Sequence, residues 1–268
     1  MPGIMLGMQL IDAIILGIVQ GLTEFIPVSS SGHLILAGHF LHFQYSGLAF
    51  DTALDIGTLL ALYLFFWKDF VELAHDFIWG GKHRMLAIYI LLATIPGVVV
   101  GVLIQKYAET VFRDGRLVAL NLIWVGILMY VIDKYCSQKR DLDHVTPVRA
   151  LAVGTAQALA LIPGTSRSGI TITAGRALGF DRVSATRFSF LMSAPIITGA
   201  TLKVLLKPSD LHQMVEVPWL YAAGILTAFA TGYWAIKFML RYLSKHGLAV
   251  FAFYRIAVGL LILAIGLR

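Results

Sequence analysis

The sequence predicts an all-α polytopic membrane protein of about six transmembrane helices plus two re-entrant helix-loop-helix hairpins, and three observations carry that prediction. Of the 268 residues, 58% are hydrophobic and only 13% charged, about half the ~25% charge of a soluble domain, and the mean hydropathy is +0.81. Such a chain has too little polar surface for water. Six apolar stretches, at about 50–67, 84–106, 116–134, 184–205, 218–241 and 248–267, each approach the ~20 residues that a helix needs to cross a bilayer. Two further apolar stretches, 9–41 and 150–179, are interrupted midway by Pro, Gly and Ser.

The interruptions define the hairpins. Residues 9–41 hold an apolar helix from Ile11 to Ile26, then Pro27-Val28-Ser29-Ser30-Ser31-Gly32-His33, then a short apolar piece. Residues 150–179 repeat that plan around Pro163-Gly164-Thr165-Ser166-Arg167-Ser168-Gly169. Neither half of either stretch is expected to span alone, and broken helices at membrane depth are tolerated only where they line protein or a water-filled cavity.

The two stretches also resemble each other. Gly17, Gln20, Ser29, Ser31 and Gly32 recur as Gly154, Gln157, Ser166, Ser168 and Gly169, each pair 137 positions apart. Each break precedes three spans, so the layout is that of an inverted-topology repeat with its site at the repeat interface. One integral membrane domain over residues 1–268 is expected, with halves of about 9–134 and 147–267.

Loop charge sets the expected orientation. One set of loops holds Lys68, Lys82, Arg84, Lys134, Lys139, Arg140, Arg149, Arg176, Arg182, Arg187, Lys237, Arg241 and Lys245, thirteen in all; the other holds Lys106, Arg113, Arg116, Lys203, Lys207 and Arg268, six. The richer side should be cytoplasmic, which puts both termini and the first hairpin on the outer side. The net charge of +6 is scattered between apolar segments, so it argues for membrane orientation and against nucleic acid. The single cysteine, Cys136, excludes an internal disulfide and a cysteine metal cluster. No Lys or Arg precedes the first apolar run, so the first segment is expected to stay in the mature fold.

The polar residues at the breaks carry the chemistry. Ser29 or Ser30 can cap the helix after Pro27, leaving backbone N–H groups and a positive dipole end for an anion. His33 lies one turn from Ser30, and Glu24 lies four residues after Gln20. An intramembrane carboxylate is by default functional. Arg167, between Ser166 and Ser168, is costly at membrane depth unless a phosphate or carboxylate accepts its paired hydrogen bonds; an ion pair with Glu24 is the bland alternative. Ser29, Ser31, Ser166, Ser168 and Thr171 are expected phosphate donors. Asp51 and Asp55, four apart at the start of a helix, either bind a divalent cation or mark the outer water boundary.

The runs Gln20-Gly-Leu-Thr-Glu24-Phe-Ile-Pro27-Val-Ser29-Ser30-Ser31-Gly32-His33 and Pro163-Gly-Thr-Ser166-Arg167-Ser168-Gly169-Ile-Thr171 resemble the bacterial undecaprenyl-diphosphatase family, whose loss sensitises cells to bacitracin. The resemblance extends through the span pattern over essentially the whole chain. It implies hydrolysis of the C55 isoprenyl diphosphate to the monophosphate and inorganic phosphate, which recycles the lipid carrier of cell-wall synthesis in the bacterial plasma membrane. It also implies dependence on a divalent cation, Mg²⁺ or Ca²⁺, and a site open to the outer face. The family's glutamate-rich motif falls on Gln20 and Glu24, its essential serine on Ser30, its histidine on His33 and its phosphate-binding arginine on Arg167. Some relatives have glutamate where Gln20 stands, so the metal-ligand and base roles fall here on Glu24, with Asp51 as a second metal candidate. Ser31 stands where some relatives have threonine, which keeps the hydroxyl.

Two nucleophiles fit these residues: Ser30, with His33 or Glu24 as base, or a metal-activated water with Ser30 only binding phosphate. A transporter or lipid flippase is the rival class, because inverted repeats with broken helices also mark transporters. The sequence sets neither the isoprenoid chain length nor the oligomeric state, a homodimer included.

Overall fold

A computed structural model describes residues 2–41, 48–110, 114–136 and 139–266. Arg113 and Arg268 of the loop-charge count lie outside the described residues, as does the side chain of Lys106. The helices are α1 (Pro2–Phe25), α2 (Ser30–Phe40), α3 (Leu48–Phe65), α4 (Trp67–Trp79), α5 (Arg84–Thr110), α6 (Gly115–Tyr135), α7 (Pro147–Leu159), α8 (Arg167–Ala177), α9 (Arg182–Leu205), α10 (Pro208–Glu216), α11 (Pro218–Leu243) and α12 (Ala249–Ile265). Among the described residues there is no strand, only an isolated bridge between Arg140 and Phe180.

Local chemistry sets the helix starts. Asp114 caps α6 by accepting the Arg116 and Leu117 N–H groups at 2.9 and 3.0 Å. Thr146 caps α7, whose first residue is Pro147, where a missing N–H is harmless. Pro208 and Pro218 likewise open α10 and α11.

All six predicted spans are helices with ends within a few residues of expectation. Among the described residues α5 (over Arg84–Leu103), α6 and α11 are each long and apolar enough to cross a membrane, a number that rises to four if the bent pair α3–α4 is one span. The outer surface is apolar: Val102 and Leu103 on α5 are 71% and 74% exposed, and Leu64, Leu120, Trp124, Leu226 and Leu260 are more than half exposed. A continuous apolar skin on five helices suits lipid rather than water.

Two expectations need correction. The first hairpin limb is not a short helix from Ile11 to Ile26 but the 24-residue α1, about 36 Å long at 1.5 Å per residue, enough to cross a bilayer. No proline after Pro2 interrupts it before Pro27. The hairpin halves α2, α7 and α8, of 11, 13 and 11 residues, are too short to span. The connectors also contain two helices that the span pattern does not reveal. One, α4, leaves α3 at a bend of 75° and carries exposed Trp67 and Trp79 at its ends, as a helix lying along a membrane interface does.

The helices pack by exchange. The first hairpin's α1 runs along α11, and the second hairpin's α7 runs along α5. Likewise α3 lies on α11, α9 lies on α5, α6 pairs with α12, and α3 meets α9. Small residues set the closeness: a Cβ at Gly17 would run into Gly224 and Thr227 of α11, and one at Gly154 into the Ala93 backbone of α5. At one end, Asp133 of α6 binds buried Arg176 of α8, Arg182 of α9 and the Leu248 N–H. Two of the counted loop cations are therefore ion-paired inside the fold. This packing brings the two breaks together.

Candidate active site

Each break is built the same way. Ser29 is the N-cap of α2, with its Oγ accepting the Gly32 N–H at 3.3 Å. Ser166 is the N-cap of α8, with its Oγ accepting the Gly169 N–H at 3.1 Å. Their φ angles are +79° and +71°, and among the described residues they are the two non-glycine residues with positive φ. Such backbone costs roughly 1–3 kcal/mol per residue and tends to persist at functional sites. In each break the cap hydroxyl also lies 3.3 Å from the hydroxyl two residues on, Ser31 or Ser168.

Both short helices begin at one cavity of about 340 Å³. Its lining includes Gln20, Glu24, Ser30, Ser31, Asp51, Asp55, Gln157, Ser166 and Arg167, with Leu34, Ile35, Leu161, Ile196 and Ile197 as apolar wall. The first N–H groups of a helix have no intrahelical partner, so two positive dipole ends meet one small space suited to an anion.

Glu24 is the hub. Its Oε2 accepts Ser30 Oγ at 2.6 Å and Gln20 Nε2 at 3.0 Å, while Oε1 is ion-paired with Arg167 Nη2. Gln20 Nε2 also donates to Asp55 Oδ1 at 2.7 Å. Ser168 Oγ donates to the Glu24 backbone carbonyl at 3.1 Å, so the second break is pinned directly to the first. Thr171 supports from below, with its Oγ1 on the Arg167 carbonyl and on Ser189 Oγ, both at 2.6 Å. Phe25, beside Glu24, packs edge-on against Phe190 at 5.3 Å, sealing the inner side of the hub with apolar rings.

The structure thus brings together Gln20, Glu24, Ser30, Ser31, Asp51, Asp55, Ser166 and Arg167. Ser29, Ser168 and Thr171 are buried and act on the loops beneath the cavity. His33 is directed elsewhere: its Nδ1 meets the Ser29 carbonyl at 2.8 Å, and its Nε2 meets Tyr254 Oη at 2.9 Å with the rings stacked. Both ring nitrogens are engaged, whereas Ser30 bonds the Glu24 carboxylate. Of the two candidate partners for Ser30, the one it hydrogen-bonds is therefore Glu24.

Nothing in the two motifs points to Arg255, yet it holds both breaks. Fully buried on α12, it donates to the Pro27 carbonyl at 3.2 Å and to those of Gly164 and Thr165 at 2.8 and 2.9 Å. Longer contacts of 3.4 Å reach the Asn121 and Leu122 carbonyls on α6. The carbonyls of both broken segments need donors at membrane depth, and a five-donor guanidinium supplies them to both at once. Its sequence signal is that it is the one charged residue between 248 and 267. Arg255→Met should lower unfolding stability in detergent by about 3–5 kcal/mol, because it orphans several buried carbonyls. Chemical denaturation followed by tryptophan fluorescence checks this, and wild-type stability would remove Arg255 from the loop-holding role.

A family model described as "Bacitracin resistance protein BacA" matches residues 13–261. This chain belongs to the BacA family. Similar proteins include the undecaprenyl-diphosphatase of Moorella thermoacetica, 46% identical over 260 residues that cover 96% of this chain and 98% of the relative. Those of Geotalea daltonii and Pelotomaculum thermopropionicum are 45% and 40% identical, each covering 96% of this chain and 98% and 97% of the relative. Together with the apolar helices, BacA membership identifies a multi-pass membrane protein. Both motif segments lie within the matched region, so the Glu24–Ser30–Arg167 hub sits inside the BacA frame.

Proposed function

We propose that this protein hydrolyses undecaprenyl diphosphate to undecaprenyl phosphate and inorganic phosphate, recycling the lipid carrier of cell-wall synthesis and conferring bacitracin resistance. The relatives carry that activity in their names, and one observation carries it to this site. A hydroxyl bonded to a carboxylate, and a guanidinium bonded to the same carboxylate, face one cavity at two helix N-termini. Transport needs only binding groups; this set can also move a proton and bear a covalent bond.

The chemistry runs through Ser30. Arg167 and the N–H groups of α2 and α8 bind the diphosphate, whose charge competes with Glu24 for the guanidinium. Ser30 Oγ attacks the terminal phosphorus while Glu24 Oε2 takes its proton. The bond from that phosphorus to the bridging oxygen breaks, and its electron pair leaves with undecaprenyl phosphate. Glu24 passes that proton to the departing undecaprenyl phosphate; a water then attacks the phosphoserine, Glu24 accepts the water's proton, the phosphorus–Oγ bond breaks, and Glu24 returns the proton to Ser30 Oγ as inorganic phosphate forms. His33 orients α2 through the Ser29 carbonyl and Tyr254.

A divalent cation, Mg²⁺ or Ca²⁺, belongs to this reading. The cavity's donors Glu24, Asp51 and Asp55 are all oxygen, the chemistry these ions take. Among the described residues no three acidic, His or Cys side chains converge to hold an ion by themselves. Mg²⁺ sites often use one or two carboxylates plus substrate phosphate oxygens, so these residues fit an ion that is shared with the diphosphate. Glu24 and Asp51 would hold it, and when bound it would offset phosphate charge.

The same reading covers the membrane frame. Six spans and two broken segments, the first with a limb, α1, long enough to cross, form halves 9–134 and 147–267 as an inverted repeat, supported by the exchanged packing of α1 on α11 and α7 on α5 and by the matched caps Ser29 and Ser166. The protein lies in the bacterial plasma membrane with the cavity and both termini outward, on a loop-charge balance of thirteen to six that stays in the same direction when Arg176 and Arg182, paired with Asp133, are left out. The isoprenyl chain lies among lipids while the head group enters.

Phosphate release from C55 diphosphate by purified protein tests the function. Release should be steady with millimolar Mg²⁺ or Ca²⁺, fall at least about a hundredfold in EDTA (several kcal/mol of charge stabilisation removed), and return when cation is restored. Lipid movement between leaflets without phosphate release would overturn the hydrolase reading in favour of transport.

A further inference from the structure

Among the polar side chains that line the cavity, Gln157 takes no part in the reaction above and stands apart by its lack of partners. Gln157 on α7 is 2% exposed and lines the cavity, and neither its Nε2 nor its Oε1 has a hydrogen-bond partner. Buried carboxamides are almost always paired, and leaving one unpaired penalises the fold.

Its counterpart shows what it lacks. Gln20, 137 positions earlier, donates to Glu24 and Asp55. The residues 137 positions beyond those two acids are Leu161 and Met192, which have no side-chain oxygen to accept from an amide. The second half has the carboxamide at the cavity and an acceptor at neither position. The amide lies against the bare backbone of α5: a Cβ at Gly97 would stand at ordinary contact distance, 3.4 Å, from Gln157 Nε2, and would crowd only Ile196 Cδ1, at 2.7 Å.

We propose that Gln157 is a substrate-binding residue whose carboxamide N–H donates to a non-bridging oxygen of the diphosphate head group from the α7 wall. This rests on the diphosphatase reading and adds a contact from the second half besides Arg167. A neutral donor suits the position, because it binds the anion without competing with Arg167 for Glu24. The head group supplies the acceptor that Leu161 and Met192 do not.

The test is Gln157→Leu, close in size and unable to hydrogen-bond, read in three ways on the full-length protein in detergent. Binding of inorganic diphosphate with Mg²⁺, followed calorimetrically, should weaken about tenfold, as expected for one hydrogen bond to an anion. KM for C55 diphosphate should rise by a similar factor. The thermal midpoint should hold or rise, because an unpaired buried amide is gone. A fallen midpoint with unchanged diphosphate affinity would overturn the proposal by making Gln157 structural, and unchanged affinity with an unchanged midpoint would overturn it as well. Diphosphate binding needs no turnover. If the wild type released no phosphate, the function would fail, while a tenfold binding loss in Gln157→Leu would still place the amide on the anion.

Discussion

Arg167→Ala is expected to lower kcat/KM for phosphate release about a thousandfold, the scale seen when a guanidinium or oxyanion donor is removed from a charge-developing transition state. The guanidinium stands at the first residue of α8 with Glu24 as its resting partner. It is the one cationic side chain among the cavity's lining residues. Arg167→Lys should recover little, because a point charge cannot reproduce the planar fork that grips two oxygens. Stability separates this catalytic loss from a folding defect. Alanine leaves a largely buried carboxylate without its cation, a loss of order 3 kcal/mol. Glu24→Gln in the same chain should restore much of that stability and none of the activity. If Arg167→Ala lost this stability yet kept wild-type kcat/KM for phosphate release, Arg167 would be a structural counter-ion only.

Ser30→Ala should have an effect of similar size, at least about a thousandfold in kcat, because it removes the atom that forms the bond to phosphorus. The hydroxyl lies 2.6 Å from Glu24 Oε2, within reach for proton transfer. Its neighbours divide the labour differently. Ser29 and Ser166 spend their hydroxyls on capping, and Ser31 lies beside Ser29, so alanine at those positions should disturb the loops more than the chemistry.

Much of this arrangement is legible in the sequence because membrane-spanning helices and their interruptions are local signals. The six long helices at the expected stretches follow from apolar length. Both breaks follow from proline and serine where a helix should continue, and the 137-residue offset pairs Ser29 with Ser166. That same frame places Ser30 opposite Arg167 as the first residues of α2 and α8, one frame offering a hydroxyl in one half and a guanidinium in the other. What the sequence hides depends on which helices meet. The pairing of α12 with α6 decides that Arg255 reaches both loops, and Tyr254 on the same helix decides that His33 turns away from Ser30. No spacing within one segment reports either contact. Gln157 is readable as a repeat mate of Gln20, but its missing partners emerge only when Leu161 and Met192 are seen to replace two acids. Helices α4 and α10 escape notice because they are short and carry polar residues among their apolar ones, which reads as loop.

The most direct test is a rapid-quench single turnover with C55 diphosphate labelled on its terminal phosphorus. Label should appear on the protein before free phosphate, map to Ser30 as a phosphoserine, and vanish in Ser30→Ala together with turnover. Full-rate phosphate release from Ser30→Ala, with no labelled protein at any time point, would contradict a reaction built on Ser30 and Glu24.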